Sequence, residues 1–236
     1  MYRRKRFKAV VLAAGSGLRM KSDTRKQYLK INGMPMVVYS LKAFEHSPVE
    51  EIALVVCEGE QQFCRDEIVS AYGLKKVTQI VAGGKERYHS TANALAALSD
   101  CDYVMIHDAA RPCLTADVIT RCMDAAIDLG ACTAGVPTVD TISIVNERRE
   151  IAGTPDRNFL WSIQTPQVFP FHEIRRAHEL LREMEPGMSF SERRAITDDV
   201  SILKRFLHKE VYIVDGSYEN IKVTTPVDLK IAEMFL

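Results

Sequence analysis

An apolar run near the start of the chain leads into a loop of small residues, and two basic side chains follow. The run spans residues 10–14, the loop contains Gly15 and Gly17, and the basic side chains are Arg19 and Lys26. Small residues let backbone N–H groups approach phosphate oxygens closely, and cations neutralise the charge that remains. The pattern predicts a site for a phosphate chain. These residues alone leave open a tight strand-to-helix turn followed by solvated basic side chains.

Two familiar phosphate-binding loops do not fit this segment. A Walker-type loop requires Gly-Lys followed by Ser or Thr, and that sequence is missing here. A dinucleotide fingerprint requires a third small residue at the position where Met20 stands. The first loop therefore indicates neither a P-loop NTPase nor a dinucleotide-binding dehydrogenase.

Polar groups also follow two predicted strands, at the sheet edge where ligands bind in open α/β folds. The hexapeptide at residues 107–112 contains Asp108, a carboxylate that suits Mg²⁺ or substrate hydroxyls. Residues 83–90 contain two glycines, which permit close backbone approach, and Ser90 near a helix start. We expect both segments to contact a ligand. The alternative for the hexapeptide is that Asp108 binds loop amides and pairs with Arg111.

The elements that must position these groups alternate along the first half of the chain. Nearly continuous apolar strands separated by helices predict an α/β fold, with a mostly parallel Rossmann-like sheet and helices on both faces. We expect residues 1–236 to form a single domain. The predicted strands cover residues 9–13, 51–57, 77–81 and 103–107, and the predicted helices cover residues 35–45, 60–72, 86–98 and 115–130.

A segment of alternating apolar and polar residues breaks this rhythm after Cys132. It predicts a β-hairpin arm at about residues 137–159, which turns at residues 146–149 and projects from the core. A two-stranded ribbon is marginally stable alone in water, so the arm should pack against something else. A partner subunit is the economical candidate.

Two segments near the end of the chain have local interpretations. Residues 196–199 indicate a helix N-cap with acidic residues in the first turn. Residues 216–226 predict a strand followed by a helix that Pro226 opens. Lys222 on that strand would by itself be a solvated side chain.

Composition limits the partners and the compartment. The chain of 236 residues has 31 basic and 31 acidic side chains, so no global field indicates nucleic acid or a membrane surface. The six cysteines form no Cys-x-x-Cys pair and predict free thiols. Because the sequence has neither a signal-peptide pattern nor a membrane-spanning apolar run, we expect a cytoplasmic protein.

Together these segments resemble the 2-C-methyl-D-erythritol 4-phosphate cytidylyltransferases, also called 4-diphosphocytidyl-2-C-methyl-D-erythritol synthases. The hexapeptide at residues 107–112 matches the family motif without change, and Lys26-Gln27-Tyr28 follows the first loop at the expected place. The resemblance implies a nucleotidyltransferase of the non-mevalonate isoprenoid pathway. Its reaction would join CTP to 2-C-methyl-D-erythritol 4-phosphate and release pyrophosphate.

The resemblance also implies a cofactor, partners and site residues. The cofactor would be Mg²⁺ or another divalent cation held at Asp108, and the arm would build a homodimer in which Arg157 reaches across to the acceptor phosphate. The residues assigned to catalysis are Arg19, Lys26, Arg157 and Lys222. The residues assigned to CTP are Ala13, Ala14, Gly15, Gly84, Ser90, Asp108 and Ala109. The residues assigned to the acceptor are Arg111, Thr141, Arg157, Thr165, Thr197 and Lys222.

One position departs from the family, and two other functions stay open. Many relatives have aspartate where this chain has Lys85, and lysine cannot accept a hydrogen bond from a ribose hydroxyl. A ribose contact would then come from the backbone or from elsewhere. The alternatives are a cytidylyltransferase for ribitol 5-phosphate or another polyol phosphate, and a nucleotide-binding regulator without turnover.

Overall fold

The computed structural model describes residues 1–15 and 25–236, in which strands and helices alternate. The strands are β1 (Phe7–Leu12), β2 (Lys30–Ile31), β3 (Met34–Pro35), β4 (Glu51–Val56), β5 (Val77–Ala82), β6 (Tyr103–Asp108), β7 (Ala131–Pro137), β8 (Ile144–Val145), β9 (Ile151–Gly153), β10 (Trp161–Pro170) and β11 (Val211–Asp215). The helices are α1 (Met36–Glu45), α2 (Gln61–Phe63), α3 (Arg87–Ala97), α4 (Ala116–Leu129), α5 (Phe171–Met184), α6 (Phe190–Arg194), α7 (Asp199–Leu207) and α8 (Pro226–Phe235).

Seven of the strands form one sheet in the order β11-β7-β10-β6-β1-β4-β5. Neighbouring strands are parallel, except that β10 runs antiparallel to both β6 and β7. The predicted mostly parallel α/β sheet is confirmed. Because β1, β4, β5 and β6 share one direction, the loops that follow them lie at the same edge of the sheet.

The central strands are apolar on both sides because helices cover both faces. On β1, Phe7, Ala9 and Val11 pack into one core with α1 and α4, whereas Val10 packs into a second core with α3 and α5. Successive side chains of a strand point to opposite faces, so the alternation assigns each residue to one core. All four side chains are fully buried, so β1 is packed between the two cores.

Most predicted helices begin and end near the expected positions. α4 follows Thr115, whose hydroxyl accepts a hydrogen bond from the backbone N–H of Val118 at 3.4 Å. It ends before Gly130, whose φ of 98° favours glycine. The helix predicted at residues 60–72 differs, since α2 passes into a π-helix at Cys64–Ser70.

In the second half of the sheet, one strand was not predicted and one predicted strand is wrong. β10 lies in the middle of the sheet, although its sequence contains Pro166 and does not form an apolar run. The strand predicted within residues 216–226 is wrong, because β11 ends at Asp215 and residues 216–225 form an irregular connection to α8. Lys222 therefore lies on a loop. That loop is fixed by the backbone N–H of Val223, which donates to the Ala110 carbonyl at 2.8 Å.

The arm forms a hairpin of β8 and β9, in which Ile144 pairs with Gly153 in antiparallel register. The turn is tied by Asn146, whose backbone N–H donates to the Glu150 carbonyl at 3.0 Å. The apolar side chains of the arm and its base are exposed. They are Val139, Ile142, Ile144, Val145, Ile151 and Phe159.

The basic N-terminal patch, the cysteines and the apolar character of the helices can also be compared with the sequence analysis. Arg3 of the basic N-terminal patch forms ion pairs with Asp124 and Asp128 of α4, and Lys5 pairs with Asp102. The prediction of free thiols is confirmed, since all six cysteines are unpaired. Across residues 1–15 and 25–236, no helix combines the length and apolar character needed to cross a membrane.

Candidate active site

A cavity of about 580 Å³ opens at the sheet edge that the loops after β1, β5 and β6 share. Residues 12–15, 84–87 and 108–110 line it, together with Lys26 and Lys222. All of the residues predicted to bind CTP lie in its wall: Ala13, Ala14, Gly15, Gly84, Ser90, Asp108 and Ala109. Residues 12–15 and the glycine segment thus line one volume, as close approach to a phosphate chain and a base requires.

A smaller cavity of about 220 Å³ adjoins the first. Four of the residues predicted to bind the acceptor line it, namely Arg111, Thr165, Thr197 and Lys222. Three residues line both cavities: Arg87, Asp108 and Lys222. The two volumes therefore meet at a carboxylate between two cations.

Asp108 is the centre of this boundary. Its Oδ2 lies 2.6 Å from Lys222 Nζ, and its Oδ1 lies 3.2 Å from Arg87 Nε. Burial raises the pKa of the Asp108 carboxyl, but Arg87 and Lys222 outweigh burial and hold the pKa well below its usual range. Asp108 is thus an ionised carboxylate that faces both cavities.

The loops that line the larger cavity are packed directly on each other. The Ser90 hydroxyl accepts from the Gly84 N–H at 3.1 Å and donates to the Glu86 carbonyl at 3.3 Å. Ser90 thereby closes the glycine segment on itself. A Cβ at Gly83 would collide with the Cβ of Ala14 and approach Ser90 Oγ at 3.0 Å.

We expect Gly83→Ala to weaken CTP binding at least about tenfold, because the first loop and the glycine segment would have to separate. Neither contact is the end of a flexible side chain, so the change cannot be absorbed locally. Equilibrium binding of CTP measures the effect. Gly187→Ala is the matched control, since nothing lies within 4 Å of a Cβ built there. Equal CTP affinity of the two variants would contradict the prediction.

Lys26 lies in a short 3-10 helix, Lys26–Tyr28, that is clamped from one side. The Glu60 carboxylate forms an ion pair with Arg25, with Nε 2.6 Å from Oε1, and its Oε2 accepts a hydrogen bond from the Tyr28 hydroxyl at 2.8 Å. Lys26 Nζ donates to the Val223 carbonyl at 2.9 Å, on the loop that carries Lys222. The two lysines are therefore positioned by one connected set of contacts. Arg19 lies outside the described residues.

His107 orients Thr165 in the smaller cavity. A carbonyl can only accept, so His107 Nε2 donates to the Arg111 carbonyl at 3.1 Å. Burial lowers the pKa of His107 to about 4, and its neutral Nδ1 accepts from the Thr165 hydroxyl at 2.9 Å. The Thr165 oxygen also accepts from the Asp108 N–H at 3.1 Å. Thr165 consequently presents a lone pair, rather than a proton, to a ligand.

The other predicted acceptor residues have different surroundings. The Arg111 guanidinium donates from Nη1 to the Asn220 carbonyl at 2.7 Å and from Nη2 to the Ile163 carbonyl at 3.2 Å. Arg157 and Thr141 lie in the exposed arm, and Arg157 Nη1 donates to the Val139 carbonyl at 3.3 Å. Within the described part of the chain, neither residue lines either cavity.

The donor set suits a divalent cation that is shared with a substrate. The described residues contain no cluster of three or more acidic, histidine or cysteine side chains that could hold a metal ion by themselves. Asp108 provides an ionised carboxylate at the cavity wall. Mg²⁺ binds through one or two carboxylates together with substrate phosphates, so a single carboxylate fits this ion.

A family model described as "IspD: 2-C-methyl-D-erythritol 4-phosphate cytidylyltransferase" matches residues 7–236. The chain belongs to the IspD family. The resemblance inferred from the motifs is confirmed. Because cytidylyltransferases are nucleotidyltransferases, membership of the IspD family also confirms that the chain is an enzyme.

Relatives of the IspD family match nearly the whole chain. One from Lachnoclostridium phytofermentans is 42% identical over 228 residues, which cover 97% of this chain and 95% of that protein. One from Alkaliphilus oremlandii is 44% identical over 229 residues, which cover 96% of this chain and 93% of that protein. Both are named 2-C-methyl-D-erythritol 4-phosphate cytidylyltransferase. The solved 4-diphosphocytidyl-2C-methyl-D-erythritol synthase of Anaerococcus prevotii is 28% identical and matches with a TM-score of 0.83. The match covers 98% of this chain and 96% of that structure's chain.

Sequence reasoning missed Arg87, although it lines both cavities. Its guanidinium joins Asp108 to the fully buried Asp199. Burial raises the pKa of Asp199, but Arg87 and His178 outweigh burial, so the pKa is lowered overall. Arg87 lies within the glycine segment, residues 83–90, of an IspD-type site, which is a usable signal. Its partner Asp199 stands 112 positions further along the chain, and no spacing pattern indicates that pair.

We expect Asp199→Asn to lower the free energy of unfolding by about 3–5 kcal/mol at neutral pH, since it leaves the half-buried Arg87 without its closest counter-charge. The sign follows from the lowered pKa. The ionised Asp199 stabilises the fold above the pKa that it has in the unfolded chain, and this contribution disappears as the pH falls through the lower folded-state pKa. Urea unfolding from about pH 7 to about pH 3 should show the wild type and the variant converging at the acid end. A constant difference would contradict this.

Proposed function

We propose that the chain transfers the cytidylyl group of CTP to 2-C-methyl-D-erythritol 4-phosphate, giving 4-diphosphocytidyl-2-C-methyl-D-erythritol and pyrophosphate. The observation that carries this proposal is the meeting of two cavities at Asp108, Lys222 and Arg87. A nucleotide in the larger cavity and a phosphorylated acceptor in the smaller one would bring their phosphates to this boundary. The motif matches and the names of the relatives support the same reaction.

In the proposed step, an oxygen of the acceptor phosphate attacks the α-phosphorus of CTP in line with the leaving pyrophosphate. A new P–O bond forms, and the bond between the α-phosphorus and its bridging oxygen to the β-phosphate breaks. An anionic phosphate needs no general base, so the protein has to position the groups and stabilise charge. This agrees with a cavity boundary that has two cations and a buried, neutral histidine behind it.

The cations divide these tasks between the two substrates. Lys26 in the larger cavity, with Arg19, would stabilise charge on the α-phosphoryl and pyrophosphate oxygens. Lys222, which lines both cavities, would hold the acceptor phosphate together with Arg157. Asp108 would hold a divalent cation, which supplies charge neutralisation of the triphosphate when bound. The lone pair of Thr165 would accept from a hydroxyl of the acceptor.

The test is pyrophosphate release with CTP and Mg²⁺ in the presence of methylerythritol phosphate, ribitol phosphate or no acceptor. We expect release only with methylerythritol phosphate. A preference for ribitol phosphate would keep the reaction type and replace the acceptor. No release with any acceptor would overturn the proposed transfer and favour a regulator that binds nucleotides.

We also propose a homodimer built through the arm, with Arg157 acting on the site of the other subunit. Support comes from the exposed apolar side chains of the arm and from the position of Arg157 outside both cavities of its own subunit. An exposed apolar ribbon is marginal in water and needs a covering surface. The unpaired cysteines support the reducing cytoplasm as the compartment of this reaction.

A mixed dimer of Arg157→Ala and Lys222→Ala subunits tests the arrangement. If the arm acts on the other subunit, one of the two sites of the mixed dimer regains both cations. We then expect partial recovery, of up to about half of the wild-type activity per dimer. Each homodimeric variant is the control and should stay inactive. A mixed dimer as inactive as the controls would show that Arg157 acts within its own subunit.

A further inference from the structure

Arg87 is the one residue of the cavity boundary to which the sequence analysis assigned no role of its own. It is the first residue of α3 and lies within the glycine segment, residues 83–90. Its Nε lies 3.2 Å from Asp108 Oδ1, and its Nη1 lies 2.7 Å from Asp199 Oδ2. The side chain is 28% exposed, because it also lines both cavities. It therefore connects a buried carboxylate to the carboxylate of the reaction site.

Asp199 is a rigid anchor for this guanidinium. Its side chain has no exposed surface, and its Oδ1 lies 3.1 Å from Nε2 of His178 on α5. Its backbone N–H donates to Gln167 Oε1 at 3.1 Å, and Gln167 Nε2 donates to Asp198 Oδ2 at 2.8 Å. Contacts from α5 and β10 thus fix Asp199 at the start of α7.

Because the arginine head group is rigid, its contact with Asp199 also sets its orientation toward Asp108. A guanidinium is planar, with N–H groups in a fixed fork. When Nη1 is held by Asp199, the direction of the Nε–H bond is set as well, and it points to Asp108 Oδ1. A lysine could supply the positive charge, but its single Nζ cannot hold the two carboxylates in the same geometry.

The Asp108 carboxylate pairs with two cations, and this sharing affects Lys222. The Lys222 ammonium lies 2.6 Å from Asp108 Oδ2 and is 42% exposed, so it can reach a phosphate in the adjoining cavity. Arg87 satisfies the other oxygen and shares the carboxylate charge. Without Arg87, the whole charge of Asp108 would act on Lys222 alone and compete with an acceptor phosphate for it.

We propose that Arg87 is a positioning residue of the transfer reaction, which orients the Asp108 carboxylate from the buried Asp199 and leaves Lys222 available to the acceptor phosphate. This inference rests on the proposed function. It requires that loss of Arg87 acts mainly on the acceptor and on turnover, while CTP binding through the first loop and the glycine segment is largely kept.

The experiment compares Arg87→Lys and Arg87→Ala with the wild type. For Arg87→Lys we expect kcat/KM for methylerythritol phosphate to fall about 10–100-fold, with the dissociation constant of CTP changed less than about threefold. Guanidinium chloride at low, non-denaturing concentration should restore part of the turnover of Arg87→Ala. Such rescue distinguishes a missing guanidinium from a damaged fold.

Arg205→Lys is the matched control. Arg205 is an exposed arginine that also donates two hydrogen bonds, both to Glu192, but it lines neither of the two cavities. Its kinetic constants should stay within about twofold of the wild type, and added guanidinium should not raise them.

The outcomes separate the inference from the function on which it rests. An active wild type with an equally active Arg87→Lys variant would overturn the role of Arg87 alone. Equal losses of CTP affinity and acceptor efficiency, with no rescue by guanidinium, would also overturn it, because they indicate a structural role. A wild type that releases no pyrophosphate with any acceptor would overturn the proposed function and this role with it.

Discussion

Replacing Lys26 with alanine is expected to lower kcat by at least about a hundredfold to a thousandfold, with the fold retained. Lys26 lines the larger cavity, and its Nζ is directed across the cavity wall to the Val223 carbonyl. In the proposed reaction it stabilises charge that develops on the α-phosphoryl group and on the departing pyrophosphate. A donor that acts mainly in the transition state changes kcat more than it changes substrate affinity.

Steady-state pyrophosphate release measures the loss, and thermal unfolding verifies that the fold is kept. Lys30→Ala is the matched control, since Lys30 is an exposed lysine four residues further along the chain that lines neither of these cavities. Near-normal turnover of a folded Lys26→Ala variant would contradict the assignment of Lys26 to catalysis.

Asp108→Asn is the second change for which we expect a large effect, about a hundredfold or more in kcat/KM. The carboxylate is the shared acceptor of Arg87 and Lys222, and it is the ligand that we propose for a divalent cation. Asparagine keeps the shape but removes the negative charge. It also directs an NH₂ group toward one of two cations that have only donors.

The dependence on Mg²⁺ separates the two roles of Asp108. If the carboxylate holds the cation, the Mg²⁺ concentration needed for half-maximal rate should rise in Asp108→Asn. Asp124→Asn is the control, because Asp124 also binds two partners, Tyr2 and Arg3, at the surface of α4. An unchanged Mg²⁺ requirement, with activity near that of the control, would remove Asp108 from the reaction site.

Much of the fold was predictable because the strands of the parallel part are buried on both faces. β1, β4 and β6 are nearly continuous apolar runs, and such runs separated by amphipathic helices have few other arrangements. β10 was not predictable in the same way. Its sequence contains Pro166 and several polar residues, which argue against a central strand. It is a strand because β6 and β7 pair with it on both sides.

The candidate site likewise has parts that were predictable from the sequence and parts that were not. Loops that follow parallel strands must meet at one sheet edge, and so the positions of the first loop, the glycine segment and Asp108 follow from their sequence context. The hydroxyl of Thr165 is different. Its orientation depends on His107, which stands 58 positions away and which burial within the fold holds in the neutral form.

The α/β class, the family and the loops that carry the phosphate-binding residues can be inferred from the amino-acid sequence, since these depend on local periodicity and on short motifs. Three features emerge from the folded chain alone: two cavities meet at Asp108, Lys222 approaches Asp108 from a loop 114 positions away, and Arg87 is anchored on Asp199. Ion pairs between distant residues leave no spacing pattern in a single sequence, because their geometry is set by the packing of α3, α5 and α7 against the sheet.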